Sequence, residues 1–193
     1  MGKEYCCEQR TRLVGRRRML AGLGAALALP AGAALAQAGS DTPGTSQRLP
    51  DRDAPPIGTR IQLPRARLID GTFREPEYWQ GKVVVLELWA TWCPFCRKQN
   101  PVLDQLHREH SARGLEVLGL SIDRTEDEIR KYYAETGYRF PSTRFDRSWW
   151  EAIGKPRGLP IVWVIGRDGR LAQVEIGEMF AEDIQDLARW LSA

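Results

Sequence analysis

Two cysteines and a glutamate in the stretch "VVVLELWATWCPFC" are the residues best suited to do chemistry. Cys93 and Cys96 are separated by two residues, where an apolar run gives way to a helix-like segment. A sulfur at a helix N-terminus meets unsatisfied N–H groups and the positive end of the macrodipole, both of which favour a thiolate. A second thiol one turn on lies on the same face, within reach of a mixed disulfide formed at the first. This arrangement suits a redox dithiol in which Cys93 attacks and Cys96 resolves. The competing uses of two cysteines are weaker. Zinc needs two further ligands, and His107 and His110 lie on the same segment. A static bridge closing so short a loop stabilises little.

Glu87 interrupts the apolar run six residues before Cys93. An unpaired polar group in a buried strand costs about 2–7 kcal/mol, and a charge costs more. The residue is therefore either paired, with Lys82 or Arg97 as candidates, or useful. The useful form is a general base of raised pKa behind the dithiol, taking the proton from Cys96 when that thiol must attack.

The elements that hold these residues follow from periodicity. "VVVLELWA" and "LEVLGLSID" read as strands buried on both faces. Between them "PFCRKQNPVLDQLHREHSARG" reads as a helix that Pro101 should kink and Gly114 should stop. "TEDEIRKYYAETG" has Thr125 and Glu128 at capping-box spacing, and "DRSWWEAIG" reads as a short helix. "IVWVIGRDGRLAQVEIG" reads as a hairpin turning at Arg167-Asp168-Gly169. "AEDIQDLARWLSA" reads as an amphipathic helix facing Ile184, Leu187, Ala188 and Leu191 inward. The order predicts an α/β fold, a three-layer α/β/α sandwich around a mixed central sheet.

"ELWATWCPFCRKQNP" resembles the active-site segment of the exported thioredoxin-like thiol-disulfide reductases related to TlpA and ResA. Trp89, Ala90, Thr91, Trp92, Cys93, Pro94, Cys96 and Pro101 match that motif, and "GLPIVWVIGRDGRL" is similar to the family's second signature. The resemblance implies a thioredoxin-like domain over residues 59–193 and a thiol-disulfide oxidoreductase, most simply a reductase. It makes Cys93 the exposed nucleophile, Cys96 the resolving thiol and Glu87 the buried acid. Pro160 becomes a cis-proline beside the dithiol, with Leu159 offering backbone to an extended substrate. Trp92, Pro94 and Phe95 form the apolar rim. No metal and no cofactor beyond the Cys93–Cys96 disulfide is implied. Gln99 stands where many relatives carry an acid, Ile161 stands where cytochrome-maturation members often have glutamate, and the Pro94-Phe95 dipeptide leaves the potential open.

Two alternatives use the same fold. A peroxidase would carry P-x-x-x-T-x-x-C, but Ala90 occupies the threonine position. A Cu(I)-delivery protein would use paired thiolates, usually with a distant histidine, and no histidine follows His110.

The N-terminus sets the compartment. "RRRML" opens an apolar stretch from Met19 to Ala36 that ends in Ala34-Leu35-Ala36, the layout of a twin-arginine-like signal peptide over residues 1–36. Cleavage after Ala36 is favoured over retention as an anchor, because alanines and glycines add little to membrane retention. Residues 37–58 form a polar, flexible lead-in. Removing residues 1–36, with six Lys and Arg and two Asp and Glu, takes 28 basic and 25 acidic residues to 22 and 23. The formal charge becomes −1 in place of +3, so no nucleic-acid partner is implied. The expected setting is the periplasm, with exported protein thiols or disulfides as substrates. A membrane or periplasmic thiol protein would supply or accept the electrons. The membrane itself is a partner only if the signal stays uncleaved.

Overall fold

A computed structural model describes residues 54–154 and 156–192. The signal-peptide segment and most of the lead-in lie outside these residues.

The sheet is built around three strands that are buried along their whole length: β3 (Val83–Trp89), β4 (Leu115–Ser121) and β6 (Ile161–Ile165). Such continuous apolar runs suit strands covered on both faces. The five-stranded order is β5-β4-β3-β6-β7, with β5 at Ser142–Arg144 and β7 at Leu171–Ile176. β3 runs parallel to β4 and antiparallel to β6, which makes the sheet mixed. A separate small pair, β1 (Ala66–Arg67) and β2 (Phe73–Arg74), precedes it.

Alternate residues of β3 serve opposite layers. Val84, Leu86 and Leu88 face a core that includes Trp79, Trp149, Ile153 and Trp163. Val83 and Val85 face a second core with Leu103, Leu106, Ile184 and Leu187. The helix α1 (Pro94–His110) and the shorter α4 (Ala181–Asp186) cover the second face, while α3 (Arg147–Ile153) covers the first. α2 (Glu126–Thr136) lies on the same face as α1, because β3, β4 and β5 step in one direction through parallel crossovers of one hand. This is the expected three-layer sandwich.

The local signals hold with two differences. Thr125 and Glu128 close both bonds of the capping box, at 3.3 and 3.0 Å. The hairpin β6–β7 is present, and Asp168 accepts from Arg170 N in its turn. α1 runs from Pro94 to His110 with Pro101 inside it, and Gly114 ends the 3-10 turn that follows. The last helix is α-helical only to Asp186, and Leu187–Leu191 tightens into a 3-10 turn that still buries Leu187. The edge strand β5 was not predicted: three residues are too few to show periodicity. Gly58, ahead of the first strand, meets the sheet where its N–H donates to Leu171 O at 2.7 Å.

Candidate active site

The dithiol sits where β3 hands over to α1. Cys93 is the N-cap of α1 and its Sγ accepts from Cys96 N at 3.2 Å, so the first helical turn directs an N–H at the sulfur. Pro94 follows at the first helical position, where its missing N–H is no loss. Cys93 and Cys96 are joined as a disulfide, with Cα atoms 5.3 Å apart.

One expectation needs correction. Cys93 is not an exposed residue: it is 3% accessible, against 0% for Cys96. It belongs to a buried cluster with Ile69, Ala90, Cys96 and Tyr132, with Leu159 packed against the cluster. The outward positions go to Trp92, 64% exposed, Pro94, which is exposed, and Phe95, 47% exposed. Three exposed apolar residues therefore flank in sequence a cysteine that is itself nearly buried.

Leu159–Pro160 is a cis peptide, and Pro160 is buried. Pro160 O accepts from Gly177 N at 2.9 Å, which ties the start of β6 to the turn after β7.

Glu87 is fully buried and shares the α1 face of β3 with Val83 and Val85. Neither Lys82 nor Arg97 pairs with it: Lys82 Nζ bonds Glu116 Oε1 at 3.1 Å, and Arg97 Nε donates to Thr91 O at 2.7 Å. Its partners are two amides of α1. Gln99 Nε2 donates to Glu87 Oε1 at 2.7 Å. Asn100 is assigned with its nitrogen inward, 2.9 Å from both Glu87 oxygens and 2.8 Å from Cys96 O, because the reverse would set oxygen against oxygen. Burial pushes the Glu87 carboxyl up to about 8, and the Gln99 bond pulls the other way.

Gln99 and Glu87 explain each other. An acid at position 99 would confront Glu87 across a 2.7 Å contact, so an acid in the strand requires a donor on the helix. The sequence marked Gln99 only as a departure from the resemblance, and gave no sign that Asn100 joins it.

A further residue escaped the sequence reading. Asp123, buried two positions past β4, accepts from Thr91 N at 3.0 Å, Thr91 Oγ1 at 2.7 Å and Ser121 Oγ at 2.6 Å. With Arg97 on Thr91 O, every polar atom of the residue two before Cys93 is held. An acid and a hydroxyl two apart at a strand end were the available signal. Asp123→Ala orphans these donors and is expected to lower stability by about 2–4 kcal/mol. Equilibrium urea unfolding measures it; a loss below about 0.5 kcal/mol would mean that water replaces the carboxylate.

Among the described residues there is no cluster of three or more His, Cys, Asp or Glu side chains that could hold a metal ion. His107, half-buried on α1, is pulled below its usual range by burial.

Comparison with known proteins agrees with this geometry. The chain is 29% identical over 109 residues to the thiol-disulfide oxidoreductase ResA of Bacillus thuringiensis, covering 55% of this chain and 61% of that one. It is 30% identical over 108 residues to ResA of Bacillus cereus, with the same coverage. The chain thus spans about six-tenths of the length of these relatives. Among solved structures, a thiol:disulfide interchange protein of the thioredoxin family from Chlorobium tepidum superposes with a TM-score of 0.64 at 21% identity, covering 74% of this chain and all of that one. A secreted thiol-disulfide isomerase from Corynebacterium glutamicum gives 0.61 at 23% identity, covering 75% and 96%. These likenesses establish the thioredoxin-like fold. A family model matches residues 50–174, from ahead of the first strand into the closing hairpin, and the chain belongs to the AhpC/TSA family.

Proposed function

We propose that this chain is a protein thiol-disulfide oxidoreductase that reduces disulfides of exported proteins. The observation that carries the reading is the sulfur pair itself: Cys93 Sγ at a helix N-cap with Cys96 N–H aimed at it, and a wholly buried second sulfur one turn on. The ResA relatives are named thiol-disulfide oxidoreductases, which supports the same reaction.

The electrons and protons balance as follows. The Cys93 thiolate attacks one sulfur of a client disulfide, and the other client sulfur leaves as a thiolate that takes a proton from water. Glu87 accepts the Cys96 proton. The Cys96 thiolate then attacks Cys93 Sγ, the second client thiolate leaves and takes a proton from water, Glu87 returns the Cys96 proton to water, and the Cys93–Cys96 disulfide remains. Two electrons pass to the client, and a membrane or periplasmic thiol protein restores the dithiol. The client's apolar residues rest on Trp92, Pro94 and Phe95, and its extended backbone runs beside Leu159 and Pro160.

The export signal over residues 1–36, the lead-in over 37–58 and a periplasmic domain over 59–193 complete the proposal. Among the described residues no helix is long and apolar enough to cross a membrane.

Equilibration of the purified protein with glutathione buffers tests the direction. A reductase is expected at or below about −200 mV, so that the reduced form can donate; a potential near about −120 mV would make the protein an oxidant and reverse the assignment.

A further inference from the structure

We propose that Gln99 is a positioning residue of the dithiol site, its amide holding the Glu87 carboxyl at one end and the backbone of the turn beside Pro160 at the other. The proposal rests on the reading of Glu87 as the base for Cys96, and adds a residue that acts only through it.

Gln99 follows Cys96 by three positions and is 2% exposed. Its Nε2 donates to Glu87 Oε1 at 2.7 Å, and its Oε1 accepts from Met179 N at 3.2 Å. Both ends of the amide are committed. Reversal would face oxygen with carboxylate and N–H with N–H, so the orientation is determined by chemistry. Met179 belongs to the turn that follows β7. In that turn Gly177 N donates to Pro160 O at 2.9 Å, and Glu178 pairs with Lys98 at 3.3 Å, one residue before Gln99. A run of hydrogen bonds and backbone therefore leads from the buried carboxyl through Gln99 to the turn and on to Pro160.

The choice of an amide matters. A lysine or arginine in the same place would pin Glu87 as an anion. Among the described residues no cation pairs with it. Two neutral donors, Gln99 and Asn100, instead hold the carboxyl in one place and leave it free to gain and lose a proton. The titratable groups that face Glu87 from other elements are the Tyr133 hydroxyl of α2 and the Tyr138 hydroxyl beyond it, both held above their usual range chiefly by burial. On α1, Asp104 lies farther along and acts on the same tyrosines. The Gln99 bond is strongest to the carboxylate, because a charged acceptor strengthens it. When Glu87 takes the Cys96 proton the bond weakens, and the hold on the Met179 peptide weakens with it.

Gln99→Met keeps the length and removes both bonds, and Gln99→Leu is a second variant should the first fail to fold. The full chain is followed in two measurements: the pH profile of Cys96 attack on a preformed mixed disulfide at Cys93, and hydrogen exchange at the Met179 amide. Loss of a hydrogen bond to a charged group is expected to move the midpoint of the profile up by about one pH unit. Exchange at Met179 is expected to quicken about tenfold, the loss of one ordinary hydrogen bond. In a Glu87→Gln background the same change should leave the profile where it is and still quicken exchange. An unmoved midpoint in Gln99→Met and Gln99→Leu, with the Glu87→Gln effect intact, overturns the proposal alone. A profile that Glu87→Gln itself does not change overturns the base reading instead.

Discussion

Cys96→Ser is expected to trap client proteins in mixed disulfides, and Cys93→Ser almost none. The asymmetry follows from the N-cap. Cys93 Sγ receives the Cys96 N–H and Cys93 keeps 3% of its surface, whereas Cys96 is wholly buried in the cluster that also holds Trp89, Ala90 and Ile129. A client disulfide can reach only the first. Once the mixed disulfide forms, release requires a thiolate at position 96, and a serine hydroxyl cannot replace it. Trapped species should exceed those of wild type at least about tenfold on non-reducing gels, since resolution is the step removed. The serine in Cys96→Ser keeps the N-terminal turn, whose bond from residue 96 uses the backbone. Equal trapping by the two variants would reverse or dissolve the division of roles.

The second large effect is expected at Glu87. Glu87→Gln keeps the shape of the side chain, and its single oxygen can accept from both Gln99 and Asn100, because Asn100 lies 2.9 Å from either carboxyl oxygen. What it removes is the base. Attack by Cys96 should slow by about 10–100-fold, the lower range for general acid–base catalysis. Alkylation of Cys93, which needs no base behind Cys96, should change far less.

Stability should move the opposite way. Burial pushes the folded carboxyl up to about 8 from the ordinary 4.5, so the folded state holds its proton more tightly. Stability from this site is complete at low pH, declines as pH rises from 4.5 toward about 8, and is lost once the folded carboxyl ionises. Glu87→Gln has no such decline, so its advantage over wild type should grow across that window. Urea midpoints at a series of pH values measure it. Wild-type turnover in Glu87→Gln at neutral pH would make the carboxylate a structural residue.

How much of this was legible beforehand depends on whether the governing interaction was local. The dithiol was legible because strand, cap and helix are contiguous, and the N-cap geometry is set within four residues, Cys93 to Cys96. The capping box at Thr125 and the hairpin after Ile165 were legible for the same reason. Glu87 announced itself by interrupting an apolar run, since burying a carboxylate is expensive wherever the partner lies.

The partner was not legible. Gln99 is twelve residues away and stands in a polar run between Lys98 and Asn100, where nothing distinguishes an inward amide from a solvated one. Asp123 is thirty-two residues from Thr91, and their bond exists because parallel strands β3 and β4 end side by side. The burial of Cys93 likewise depends on Ile69, Tyr132 and Leu159, brought from three separate segments. Side-chain period tells which face of an element is apolar, and residue type tells which group is reactive. Which donor meets a buried acceptor is settled when the elements pack, because a hydrogen bond has a reach of about 3 Å and any of several polar residues on a helix could supply it.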